Sequence, residues 1–291
     1  MPHKLQRGVR LHVVLLLGVA LFVPAFARAD VTVNEINSAA LDDLNEDQKQ
    51  VFTKVANQEL CPCNCPLTLA GCLKQKPKCG KAQVLARYIA RKTRDGLTTI
   101  DILTKLEEGF PGSAADPKQS FTKAPAANCK GSPTAKIHLV EFADFRCPHC
   151  REASHIMSEL AASGKVEVCF KHYPLQALEP SVVAAEAAEA AAAQGKFWPY
   201  HDLLFKYQED VGRDALLRYA GDLKLDVARF TKELDSHKYK AKVLADREEG
   251  NKANIQGTPA IFVGGHELKL DRTLEDIKDR TDYDDAAACS P

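Results

Sequence analysis

Two of the ten cysteines in this 291-residue chain, Cys147 and Cys150, stand where thiols can do chemistry. They frame Cys147-Pro148-His149-Cys150, between a strand-like run, Lys136 to Phe142, and a helical pattern reaching about Ala162. A thiol at a helix N-terminus faces unpaired backbone N–H groups and the positive end of the helix dipole, and both favour thiolate. Pro148 suits the first helical turn, where its missing N–H removes no needed hydrogen bond. The His149 imidazole, when cationic, would stabilise the thiolate further. Cys147, at the outer end of the turn, is the candidate attacking sulfur, and Cys150, one turn in, is the candidate resolving thiol. A lowered thiolate pKa stabilises the reduced form, so the disulfide form becomes a stronger oxidant of other thiols. A structural disulfide or half of a zinc site could also use C-x-x-C. A four-cysteine zinc site needs a second matched pair, and none follows in this part of the chain.

Cys61, Cys63, Cys65, Cys72 and Cys79 form a second group. Pro62 and Pro66 keep its start out of a helix interior, and Pro66 can open the helix that carries Cys72. Three uses fit these sulfurs. They could form structural disulfides that supplement a small core, a redox relay exchanging with Cys147 and Cys150, or a soft-metal site for zinc or Cu(I). An odd count leaves one sulfur free or paired elsewhere, with Cys129 and Cys289 as candidates. We expect Cys129 and Cys289 to join a linker to the C-terminal tail. Cys169 lies in a strand-like run and reads as a buried, inert thiol.

The elements that must position these residues divide the chain in two. Residues 30–110 read as a small, all-helical, Cys-rich domain. Asn45 and Gln48 form a capping-box start, with Val51, Phe52, Val55 and Ala56 on one face. Val84, Leu85, Tyr88 and Ile89 mark a second helix ending at Gly96, and Thr98 caps a third that stops at Gly109. Residues 111–131 lack periodicity and carry Pro111, Pro117, Pro125 and Gly131, which reads as a linker. From 132 to 285 the pattern is strand, loop, helix and strand (Val166 to Lys171), then a helical insertion at about 178–253. A hairpin turning on Gly264-Gly265 and a last helix follow, with residues 286–291 as a tail. The sum is an α/β sandwich with an inserted helical cap. The alanine run from Val183 to Ala193 reads as close-packed helix.

Residues 1–29 read as a cleaved export signal. Lys4, Arg7 and Arg10 precede a largely apolar run from Leu11 to Ala25, and Ala27-Arg28-Ala29 is a small-x-small cleavage pattern ending near Ala29. The apolar run is shorter than the roughly 20 residues that span a bilayer as a helix. Export to an oxidising compartment, the periplasm, makes disulfides the default reading of the cysteines. The whole chain carries 39 basic and 39 acidic residues, and losing the leader makes it mildly acidic. That balance gives no reason to expect nucleic acid or anionic lipid as a partner, and no motif calls for a cofactor.

The run from Glu141 through Cys150 resembles the active-site strand and turn of DsbA-like proteins, the periplasmic branch of the thioredoxin superfamily. Gly257-Thr258-Pro259 before a late strand, Tyr173-Pro174-Leu175, and Gly195 through His201 resemble further signatures of that family. The likeness spans about residues 131 to 283. It implies a thioredoxin-like fold with an inserted helical domain, and a thiol:disulfide oxidoreductase using Cys147 and Cys150. Glu141 then matches the acidic residue buried beneath the dithiol, which accepts or relays the Cys150 proton. Pro259 matches a cis-proline beside the dithiol, and the Thr258 backbone pairs with a substrate strand, a sequence-tolerant recognition of reduced or unfolded exported proteins. A membrane redox partner would reoxidise the dithiol. Thr258 stands where the best-known oxidase has valine, which also fits a reductase or isomerase serving cytochrome c maturation. The dimeric isomerases carry a strand-rich N-terminal domain, whereas this one reads helical, which favours the oxidase. Leu60 to Phe110 weakly resembles the helical redox domain of CcmH-like proteins, through its cysteine motif and Arg94 to Asp101. A non-enzymatic reading, a metal-carrying or chaperone module built on the N-terminal cysteines, stands beside both enzymatic ones.

Overall fold

The computed structural model describes residues 30–62, 65–110, 118–175 and 180–286. The export signal with its cleavage site, Cys63, Cys289, the first part of the linker and most of the tail lie outside the described residues.

Among the described residues, two short 3-10 turns (Val33–Glu35 and Ala39–Leu41) are followed by four α-helices. α1 (Glu46–Gln58) starts at Asn45, whose side chain accepts from the Gln48 backbone while the Gln48 side chain accepts from that of Asn45, the reciprocal pair expected from the sequence. α2 (Leu69–Gln75) is capped by Thr68, α3 is Gly80–Arg94, and α4 (Thr99–Gly109) is capped by Thr98. Phe52, Val55, Ala56, Leu85, Tyr88 and Ile89 are buried in one core between them.

Among the described residues the sheet has five strands: β1 (Cys129–Gly131), β2 (Ile137–Ala143), β3 (Val166–His172), β4 (Ala260–Val263) and β5 (His266–Glu267). Their order is β1-β3-β2-β4-β5, with β2 and β3 parallel and every other pair antiparallel. The parallel pair is joined over one face by α5 (Pro148–Ala162), a strand–helix–strand crossover. β2 alternates at its start, with Ile137 and Leu139 buried and His138 exposed, then runs buried through Glu141, Phe142 and Ala143. That change of pattern marks where the inserted helices cover the sheet.

The insertion comprises α6 (Ser181–Ala192), α7 (Phe197–Lys206), α8 (Arg213–Asp222), α9 (Val227–Asp235) and α10 (Lys240–Lys252). Nine of the twelve α6 side chains are alanine or valine, and most are buried, so small side chains let its neighbours approach closely. Tyr173 donates to Asn251 Oδ1 at 2.9 Å and to the Ile255 carbonyl at 3.1 Å, fixing the end of β3 to the end of the insertion.

The segment read as linker is a separate piece of chain only in part. Its last residues, Cys129–Gly131, form edge strand β1 against β3, with Cys129 opposite Cys169. Those two cysteines are disulfide-bonded. Cys129 therefore pairs with Cys169 rather than with Cys289, and Cys169 is no free thiol. The cross-link closes a 40-residue span, worth about 3–4 kcal/mol by the chain-entropy account. Gly131 has φ +96°, and a Cβ there would meet the Val166 carbonyl oxygen at 2.3 Å, so glycine is what lets β1 close onto β3.

The helical N-terminal segment shares its core with the sheet. Ile102 and Leu106 belong to the same buried cluster as Ile137, Leu139, Met157 and Ile261. α11 (Leu274–Asp285) lies against α3. Arg91 reaches Asp276 and Asp279 at 2.6 Å each, and Lys92 reaches Asp276 at 3.0 Å. Asp276 has no exposed surface, so these pairs keep a buried carboxylate from standing uncompensated.

Candidate active site

Cys147 is the N-cap of α5, and Pro148 opens the helix as expected from the sequence. The turn before it is held by backbone and side chain together. Cys147 N–H donates to the Asp144 carbonyl at 3.0 Å, and the Asp144 carboxylate accepts from Arg146 N–H and Leu175 N–H at 2.9 Å each. Buried Gln208, from the end of the α7 region, donates to the Phe145 and Cys147 carbonyls at 2.8 Å each. Phe145 stacks on Phe170, with Phe205 and His201 around it. The apolar half of the insertion thus clamps the turn from above.

Both thiols are free. Cys147 is 8% exposed and Cys150 not at all. The hydrogen bond from Cys150 lowers the Cys147 pKa most. Burial opposes it, while the Thr258 side chain and the N–H groups of Cys150 and His149 lower it further, and the result is about 5. Cys147 Sγ lies 3.3 Å from the Thr258 carbonyl oxygen. Cys150 is pushed strongly upward, first by burial, then by its hydrogen bond to Cys147 and by the charge of Glu141. One sulfur is therefore a thiolate at neutral pH and the other a thiol, which is the asymmetry that nucleophilic exchange needs.

Beneath them, Glu141 on β2 is 1% exposed, and burial raises its pKa to about 7. Among the described residues its Oε1 atom has no hydrogen-bond partner, and the compensating charge is Lys130 on β1. Lys130 bonds Ser158 Oγ at 2.5 Å and lies 3.9 Å over the Trp198 ring, while burial holds its own pKa below the ordinary lysine range. Trp198 Nε1–H is fixed in turn by the Cys129 carbonyl at 3.1 Å. Across the turn, the Thr258–Pro259 peptide bond is cis. The His149 side chain is 72% exposed and faces Glu152 at 3.6 Å, so this residue acts on the Cys147 sulfur through its backbone N–H.

Sequence reasoning placed Cys147, Cys150, Glu141, Thr258 and Pro259, and the fold brings all five together. It missed Asp144, Lys130 and Gln208. Asp144 stands inside the motif and precedes Arg146 by two, an Asx-turn signal. Lys130 and Gln208 carried none, because strand pairing and the inserted helices alone bring them in.

The family model described as Thioredoxin matches residues 123–282, more than half of the chain. The chain belongs to the thioredoxin family. Among solved structures, this thioredoxin-family chain is similar to oxidised BdbD from Bacillus subtilis, with a TM-score of 0.51 at 24% identity. That likeness covers 59% of this chain and 99% of the other, and it shows the fold. A thioredoxin-like oxidoreductase from Silicibacter pomeroyi DSS-3 matches with a TM-score of 0.49 at 26% identity, over 53% of this chain and 89% of that one. Among curated relatives, the Na(+)/H(+) antiporter NhaA 3 of Salinispora tropica is 39% identical over 138 residues, 47% of this chain and 21% of the antiporter. The chain thus spans about a fifth of the length of that relative, and the antiporter's activity does not follow from the match. Among the described residues no helix is long and apolar enough to cross a membrane. A thioredoxin-family dithiol with one activated sulfur has the arrangement that thiol–disulfide exchange needs.

The asymmetry of the thiols predicts a pH dependence. Cys147 titrates near 5 when folded and reduced, against 9.0 for an ordinary thiol, and it does not titrate in the disulfide form. Its contribution to the reduced fold is fully present above the ordinary value and is lost as pH falls through about 5. The melting temperature of the reduced protein should therefore rise relative to the oxidised one from pH 5 to pH 8. Thermal scans of both forms across that range check it, and a difference independent of pH would contradict the assignment.

Proposed function

We propose that this chain is an exported disulfide donor that transfers the Cys147–Cys150 disulfide to reduced proteins outside the cytoplasm. The observation that carries the reading is the lowered pKa of Cys147 above a buried, protonated Cys150, an arrangement that favours the reduced dithiol and so makes the disulfide oxidising. The leader read in residues 1–29 supports export to the periplasm.

A substrate thiolate attacks the Cys147 sulfur of the disulfide form, and Cys150 leaves as thiolate and takes a proton from Glu141. The second substrate thiolate attacks its own sulfur in the mixed disulfide and expels the Cys147 thiolate. The substrate has lost two electrons, and Cys147 and Cys150 have gained them. The Thr258 backbone pairs with an extended substrate segment, a sequence-tolerant contact suited to unfolded clients. A membrane-bound electron acceptor then removes the two electrons.

Mixing the oxidised protein with an equimolar reduced, unfolded substrate containing two cysteines tests this. The expected result is an intramolecular disulfide in the substrate and two new thiols in the protein, read by mass-tag alkylation after acid quench. A substrate that stays reduced, while the reduced protein opens disulfides in the same client, would establish the reductive or isomerising role instead.

A further inference from the structure

The N-terminal segment holds sulfurs that the Cys147–Cys150 chemistry does not use. Cys61 and Cys72 are disulfide-bonded, Cys65 is a free thiol, and all three Sγ atoms lie within 4.8 Å of one another. The loop that carries Cys61 and Cys65 is closed at its base, and Cys72 follows it on α2. Leu60 bridges Thr68, Cys61 N–H donates to the Leu67 carbonyl at 3.0 Å, and Leu69 N–H donates to the Glu59 carbonyl at 2.8 Å. This closure holds Cys65 against the disulfide. Accessibility divides the three: Cys61 is 5% exposed, Cys72 is fully buried, and Cys65 is half-buried. The disulfide that could oxidise another thiol is shielded, and the sulfur that can be reached is reduced.

We propose that Cys65 is a shuttle thiol that makes the buried Cys61–Cys72 disulfide a second thiol–disulfide exchange site, whose substrate is a protein dithiol. Cys65 as thiolate attacks one sulfur of the pair, forming a new disulfide through Cys65 and expelling the other cysteine as thiolate, which takes up the proton that Cys65 lost. No electrons enter or leave in that step. An external thiolate then attacks Cys65 and expels its buried partner, giving a mixed disulfide. The second external thiol attacks its own sulfur in that bond and releases Cys65. The external dithiol has become a disulfide, and Cys61 and Cys72 are both thiols, two electrons having passed inward. The site is separate from the first. Cys61 and Cys72 are buried with Leu139, Ile261 and Val263, whereas Cys147 and Cys150 lie in the cluster formed with Phe145, Phe170 and the inserted helices.

The full chain carrying Cys147→Ser and Cys150→Ser isolates this site, so its outcome does not depend on the donor activity proposed above. Dithiothreitol is added, the reaction is stopped with acid, and the opening of Cys61–Cys72 is followed by mass-tag alkylation and peptide mapping. Adding Cys65→Ser is expected to slow that opening at least about tenfold under native conditions and to leave it unchanged in denaturant. A second readout keeps all three sulfurs: slow maleimide labelling of the unreduced protein is expected to place label on Cys61 and Cys72 as well as on Cys65. Equal opening rates with and without Cys65 would overturn the proposal, as would label confined to Cys65. Stoichiometric zinc or Cu(I) in the purified protein, with Cys61, Cys65 and Cys72 all reduced, would overturn it in favour of a metal site.

Discussion

In a chain that also carries Cys65→Ser, a Cys147→Ser variant is expected to lose disulfide transfer completely, while Cys150→Ala is expected to accumulate mixed disulfides with clients that already contain a disulfide. A serine oxygen cannot form the exchanging bond. Cys150 cannot replace Cys147, because it has no exposed surface and its thiol is held strongly in the protonated form. The Cys150→Ala variant keeps the attacking sulfur at the helix N-terminus, with the Thr258 side chain and the His149 backbone N–H still lowering its pKa. It loses the largest of the lowering contributions, the Cys150 hydrogen bond, so its pKa moves up from about 5. The trapped species form when the Cys147 thiolate attacks a client's disulfide and one client sulfur leaves as thiolate, and they persist because no Cys150 is present to attack Cys147 and release the client. Non-reducing electrophoresis with mass spectrometry reads both outcomes, and turnover by the Cys147 variant would contradict the roles proposed.

Glu141→Gln is expected to slow the steps that move the Cys150 proton by roughly 100-fold, a common size for the loss of a positioned acid or base. Glu141 titrates near 7, so a step in which it accepts the Cys150 proton should accelerate as pH rises through 7 and then level. The glutamine variant should show no inflection there. Stability gives a second readout with its own sign. A carboxyl whose folded pKa is raised weakens the fold as pH rises from its ordinary value to about 7, and the loss persists above. Removing the charge should stabilise the protein at pH 8 by at most about 3 kcal/mol, because Lys130 loses its partner at the same time. Stopped-flow exchange and denaturant titrations across pH 5–8 check the two effects. A variant with an unchanged rate profile would remove Glu141 from the mechanism.

Much of this architecture was legible in the residues. Asn45 with Gln48, Thr98 and Pro148 each satisfy a specific demand of a helix start, and each marks one in the structure. β2 announced itself by β-branched and aromatic content, and the hairpin by Gly264-Gly265, both at positive φ. The dithiol was legible because a strand, a turn and a helix start are local features. Edge strand β1 was not, since three residues ending in glycine are too short to show a period of two. Its pairing with β3 comes with a disulfide between Cys129 and Cys169, 40 residues apart, a partnership that spacing could not reveal. The charge beneath the site was hidden for the same reason: Lys130 reaches Glu141 only once β1 has docked. Gln208 was hidden because the insertion folds back over the turn, which no local pattern encodes. The side chain of His149 drew attention by its chemistry, yet its backbone N–H is the group that bears on the sulfur.

The reduction potential of the Cys147–Cys150 pair, measured against glutathione buffers in the full chain carrying Cys65→Ser, tests the central claim most directly. Thioredoxin, with a nucleophilic cysteine near pKa 7, has a potential of about −270 mV, and DsbA, near 3.5, about −120 mV. A thiol near 5 places this pair between them, at roughly −200 mV, oxidising enough to donate its disulfide to unfolded clients. A value there or higher is what the account predicts. A potential at or below about −270 mV would contradict it and make this dithiol a reductant.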